Sequence, residues 1–265
     1  MINYWKIRLQ NYSCLYSLIV GFTISIFHII FFVLPISKNS DIIFSPYTSW
    51  LSMNFASFYL VLFMLLLPII SSLPASGIYL TDKKNGTLDV LFTKISKNKY
   101  YTSLMFVVFI SGFLVTCVSL TINIIGCFLL LPNNPTDEIL NYNLGMRLPD
   151  AFGVSLYFSH PFIHMILNVL FISVYGGLFA LISTISSFFI RNTFFVYLSS
   201  FLFQVVLIAI NLFLYPIKSI APAFFLPENP YIFPNSFIIV IVLTLLISIS
   251  LLCAFYIGRK QNEFN

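Results

Sequence analysis

Apolar residues run along this chain in long unbroken stretches separated by short polar gaps. Six stretches reach the roughly 20 residues that a helix needs to cross the hydrocarbon core of a bilayer. They lie near Leu15 to Leu34, Phe55 to Leu73, Leu104 to Leu131, Phe162 to Phe189, Phe194 to Leu214 and Phe237 to Ile257, and none contains Lys, Arg, Asp or Glu. Runs that are apolar all round fit lipid rather than water as solvent. The pattern predicts an all-α, polytopic membrane protein with six transmembrane helices in one transmembrane domain spanning 1–265. The third and fourth runs exceed a perpendicular span, so tilt, or a break near Gly176 and Gly177, is expected.

The gaps are unequal. The longest gap on the more basic side, Tyr79 to Ser103, carries Leu88, Leu91, Phe92 and Ile95 at i, i+3, i+4 and i+7, the spacing of one helical face. Thr87 is placed to cap that helix, and Asp89 in its first turn suits the positive end of the helix dipole. An apolar face outside the membrane needs lipid or a protein partner to cover it. Residues 1–13 hold Ile2, Trp5, Leu9 and Tyr12 at roughly helical spacing with Lys6 and Arg8 off the stripe, which predicts an interfacial helix. The run after it is too long for a signal peptide and is read as a retained span. On the other side, 132–161 is a polar loop. The segment 215–236 is broken by Pro216, Pro222, Pro227, Pro230 and Pro234 yet keeps Phe224, Phe225 and Phe233. Too apolar for open water and too proline-rich to span, it is expected to dip into the membrane as a re-entrant segment, with Phe225 covered and Glu228 at the water-facing edge.

Charge sets the orientation. Ten basic residues fall on the side of the termini and the 79–103 loop, and three on the other, which places both termini in the cytoplasm. Only 8% of residues are charged, so the net charge of +5 speaks for membrane topology and not for nucleic acid. The four cysteines lie in or beside apolar runs without C-x-x-C spacing, which argues against a disulfide framework or a zinc site.

The stretch Asp82 to Tyr100, with Gly86-Thr87-Leu88, Asp89, Leu91 and Ile95-Ser96 followed by basic residues, resembles the first cytoplasmic loop of type-2 ATP-binding-cassette permeases. The span count, the topology and the segment 215–236 are similar to that family's layout. Two positions depart from it: Lys84 stands where an acidic residue is common, and Lys94 where a proline often precedes Ile-Ser. The resemblance implies that Gly86, Thr87, Leu88, Leu91, Phe92 and Ile95 form a short cytoplasmic coupling helix seated in a separate ATPase subunit. It further implies an exporter formed with a second permease copy or a homologous permease, with ATP and magnesium held by the partner. The chain has no G-x-x-x-x-G-K-[ST] loop of its own to cradle phosphates.

Other residues invite chemistry and are read more plainly. His160 and His164 stand at i, i+4, but no Glu lies between them and His160 precedes Pro161, so a metal site is not expected. His28 is read as a neutral histidine bonded to a neighbouring helix, with a proton-coupled role as the alternative. Asn123, Asn168, Gln204 and Asn211 are read as interhelical glue, though they could equally line a substrate path. An intramembrane enzyme would need paired catalytic groups, which the runs lack. An ATP-independent ion-coupled carrier or channel stays as the alternative function, although the runs show neither an internal repeat nor a buried charge.

Overall fold

The computed structural model describes residues 2–9, 12–38, 44–54, 57–137, 146, 152–228 and 237–263. Every regular element among them is helical. In chain order these are α1 (Ile2–Leu9), α2 (Tyr12–His28), α3 (Leu34–Lys38), α4 (Pro46–Ser49), α5 (Phe58–Ser72), α6 (Ile78–Lys84) and α7 (Thr87–Lys94). They continue with α8 (Lys97–Leu130), α9 (Val154–Ser159), α10 (Pro161–Ser186), α11 (Thr193–Phe213), α12 (Pro222–Phe225) and α13 (Phe237–Glu263).

Among the described residues, five stretches are long and apolar enough to cross a membrane: Leu15–Lys38, Lys97–Leu130, Pro161–Ser186, Thr193–Phe213 and Val240–Ile257. The first is α2 and α3 joined by a π-turn at Ile29–Val33. The run expected to be the second span is a shorter helix. α5 has 15 residues, about 22 Å at 1.5 Å per residue, against a core of roughly 30 Å. The shortening is at its start, where Ser57 caps the first turn by accepting from Tyr59 N at 3.2 Å; its end at Ser72 lies just before Pro74, which has no N–H to continue the ladder. The chain turns at 73–77 and resumes in α6.

α5, α8 and α10 form the middle of the bundle. Buried positions make up 56% of the α10 apolar window but 11% of the α13 window, so α13 is peripheral. The expected break near Gly176 and Gly177 is absent, since α10 runs unbroken from Pro161 to Ser186. Those glycines instead let helices touch. A Cβ on Gly112 of α8 would sit 2.8 Å from Ala180 Cβ and 2.9 Å from the Gly176 carbonyl oxygen, which only a glycine allows. Polar side chains bind helix to helix around this contact. Ser25 Oγ donates to the Ser119 carbonyl at 2.8 Å, and Gln204 Nε2 to the Met64 carbonyl at 2.7 Å. Two aromatic-rich cores result, one around Trp50, Phe63, Tyr175 and Phe179, the other around Trp5, Tyr79, Tyr100 and Phe188.

Candidate functional site

α7 forms as the 79–103 spacing predicts, but its cap differs. Gly86, not Thr87, precedes the first turn, and its φ of 68° is left-handed, a conformation that glycine adopts without strain. The apolar face turns toward the chain's own body. Leu88 is buried, while Leu91 and Phe92 pack half-buried on the core that holds Trp5 and Tyr100. Phe92 meets Tyr100 edge-on at 5.7 Å. Thr87 and Ile95 are half-buried and Gly86 is exposed. Asp89, Val90, Thr93 and Lys94 are left as an exposed strip.

α7 hangs from a buried carboxylate. Asp82, on α6, is fully buried. It accepts hydrogen bonds from the Tyr4 hydroxyl and the Arg8 guanidinium of α1, and from the Tyr100 hydroxyl at the foot of α8 at 2.8 Å. Three helices thus share one carboxylate. Burial, and then the Asp82 carboxylate that it faces, push the Tyr4 phenol up to about 12. Trp5 lies beside this cluster, with its ring 5.7 Å from that of Tyr100.

At the other end of the bundle stands a second buried carboxylate, Glu228. The expectation that Glu228 meets water is corrected, for it is 3% exposed. Its Oε1 is bonded to His164 Nδ1, and its Oε2 accepts from Trp50 Nε1 at 2.6 Å. Its backbone N–H donates to the Ser52 carbonyl at 3.2 Å and to Ser52 Oγ at 3.0 Å. Ser52 Oγ donates in turn to Asn168 Oδ1 at 3.1 Å. His164 Nε2 donates to the Phe152 carbonyl at 2.9 Å. Gly153, left-handed at φ 63°, lets this loop close on the imidazole, where a Cβ would come within 3.1 Å of the ring.

The segment that carries Glu228 is gathered by one side chain. Asn211 Nδ2 donates to the carbonyls of Tyr215 at 2.9 Å and Lys218 at 3.0 Å, and its Oδ1 accepts from Ile220 N at 2.7 Å and Ala221 N at 3.0 Å. α12 then sets Phe225 against Tyr175 at 5.2 Å, with Phe225 buried and Phe224 half-buried. The described part of the segment folds back on the bundle end; Phe233 lies outside the described residues.

Between the two ends, His28 is buried with Asn123 Nδ2 at 3.0 Å from its Nδ1 and Asn54 Nδ2 at 3.4 Å from its Nε2. Asn123 Oδ1 also accepts from Leu51 N at 2.9 Å, so this asparagine joins α2, α8 and the turn after α4. His160 is exposed and His164 faces Glu228. Among the described residues no three His, Cys, Asp or Glu side chains converge on one point.

No family model matches the chain, and neither the curated proteins nor the solved structures give a match.

Proposed function

We propose that the chain is the membrane-spanning permease subunit of an ATP-binding-cassette exporter, paired with a second permease and driven by a separate ATPase. Both termini and α7 face the cytoplasm, on the side that carries ten basic residues against three. α5, together with α6, supplies the sixth crossing. The supporting observation is the Asp82 junction. A force applied to α7 passes through α6 to α1 and α8 together, because Tyr4, Arg8 and Tyr100 grip the same carboxylate. The strip Asp89, Val90, Thr93 and Lys94 is the surface of α7 open to an ATPase, flanked by the uncovered parts of Leu91, Phe92 and Ile95. The test follows from that exposure. Leu91 and Phe92 also pack internally, so Val90→Asp is the cleaner probe. Losing a buried valine costs on the order of 1.5 kcal/mol, about tenfold in affinity. An ATPase subunit should copurify with the full chain in gentle detergent and fall about tenfold with Val90→Asp. An ATPase that is absent, or indifferent to Val90→Asp, would remove this reading.

A second reading, the ATP-independent ion-coupled carrier, is favoured by the buried pair of Glu228 and His164, since ionisable groups held in such places often move protons. A gradient-driven proton flux in nucleotide-free proteoliposomes, abolished by Glu228→Gln, would favour it. Absence of that flux leaves the first reading in place.

A further inference from the structure

The Phe152 carbonyl can only accept, so the hydrogen on His164 Nε2 is committed to it. His164 Nδ1 and Glu228 Oε1 then face one another at bonding distance. Without a proton between them, a lone pair would oppose a carboxylate oxygen. With one proton the pair is neutral whichever atom holds it, and with two it carries a buried positive charge. The remaining contacts hold the carboxylate without adding charge. Trp50 Nε1 satisfies Oε2, and Ser52 satisfies the Glu228 backbone. Among the described residues the other titratable group against the pair is the Tyr157 phenol, whose ring lies 5.6 Å from that of His164. Burial first, and the Glu228 charge second, push that phenol up and keep it neutral. From the elements packed around the pair, Trp50, Ser52, the Phe152 carbonyl and Tyr157 thus present no charge to it.

We propose that Glu228 and His164 form a buried proton-binding site whose single shared proton holds residues 214–228 closed on the bundle, and whose loss opens them. Glu228 is well placed for this task. It closely follows Phe225 in the run that Asn211 gathers, and its bonds to Trp50 and Ser52 in the turn after α4 and to His164 at the start of α10 fasten that run to two separate parts of the chain. A free imidazole is largely neutral above about pH 6.5. Closing above that pH therefore takes up one proton, and the closed-to-open ratio falls by up to tenfold per pH unit for as long as the closed pair keeps its proton, at most about a hundredfold by pH 8.5. The site works in the same way whether the chain serves an ATPase or a carrier cycle.

Trp50 is itself the reporter, fully buried beneath the segment, and the chain has one other tryptophan, Trp5. The full chain bearing Trp5→Phe, in lipid nanodiscs, is titrated with acrylamide from pH 6.5 to 8.5. Quenching of Trp50 should rise at least threefold over that range. In the Glu228→Gln background it should stay low and flat, because the new amide can donate to Nδ1 and accept from Trp50 with no shared proton. His164→Gln, which keeps a donor toward Glu228 without a titrating ring, should be flat as well and covers the case in which Glu228→Gln fails to fold. Flat quenching in the Trp5→Phe parent would overturn the proposal. So would a rise that survives both replacements, since the responsible proton would then lie elsewhere.

Discussion

The two ends of the bundle each bury a carboxylate among aromatic donors, and they differ in the cation. Asp82 is met by Arg8, Tyr4 and Tyr100, and Glu228 by His164, Trp50 and Ser52. A guanidinium stays charged at any pH the protein meets, whereas an imidazole gains or loses its charge near neutrality. One junction is therefore permanent and the other conditional. The permanent one lies where α1, α6 and α8 must move together if α7 is pushed. The conditional one lies where a segment folds back over the opposite end.

Breaking the permanent junction should give the largest effect. Arg8→Met leaves Asp82 buried without its cation, and such a loss costs about 3–5 kcal/mol. The low end of that range is expected, because Tyr4 and Tyr100 still donate. Thermal unfolding in nanodiscs should show the drop equally at pH 6.5 and 8.5; a drop confined to one pH would erase the contrast between the ends. Disturbing the scaffold between them comes next. Gly112→Val drives side-chain atoms into Ala180 and the Gly176 carbonyl and should cost about 1–3 kcal/mol by overpacking, with no pH dependence of its own. Unchanged stability would mean that α8 and α10 are not in this close contact.

Smaller changes sharpen the picture. Tyr4→Phe removes one of three donors to Asp82 and should cost about 1.5 kcal/mol or less. The Tyr4 phenol must keep its proton to donate. With its titration raised from 10 to about 12, the contact is complete below pH 10 and is lost as pH rises through about 12. An absorbance titration that finds a tyrosinate lost with Tyr4→Phe near pH 10 would contradict the packing of α1. Smallest of all, Lys84→Gln touches an exposed ammonium 3.5 Å from Thr193 Oγ1 and should shift stability by less than about 0.5 kcal/mol.

Much of this architecture is legible in the sequence because lipid imposes a one-dimensional signal. A stretch of about 20 apolar residues needs no partner to declare itself, and the i, i+3, i+4, i+7 spacing of α7 is equally local. The failures are of another kind. The second span reads as continuous apolar sequence from Phe55, yet Ser57 caps α5 so that it starts only at Phe58. Gly176 and Gly177 look like a break and prove to be a contact surface, because α8 brings Gly112 against Gly176 and Phe109 against Gly177. The apolar face of α7 seems to demand a partner until α1 and the foot of α8 are folded beside it. Glu228 reads as one more acid in a loop, and His164 as half of a weak metal pair. Their pairing spans 64 positions, and Arg8 with Asp82 spans 74, distances at which no periodicity carries information. A lone glutamate in an apolar, aromatic segment was the one available hint, since a charge there needs a buried counterpart.

The contrast between a fixed and a conditional end can be read in one paired experiment, because each end holds one of the chain's two tryptophans. Trp5 lies beside Asp82 and Trp50 beside Glu228. The Trp50→Phe and Trp5→Phe chains, each in nanodiscs, are quenched with acrylamide between pH 6.5 and 8.5. Trp50 should become accessible as pH rises while Trp5 stays protected throughout. Equal responses at both ends, or a response at Trp5 alone, would contradict the account.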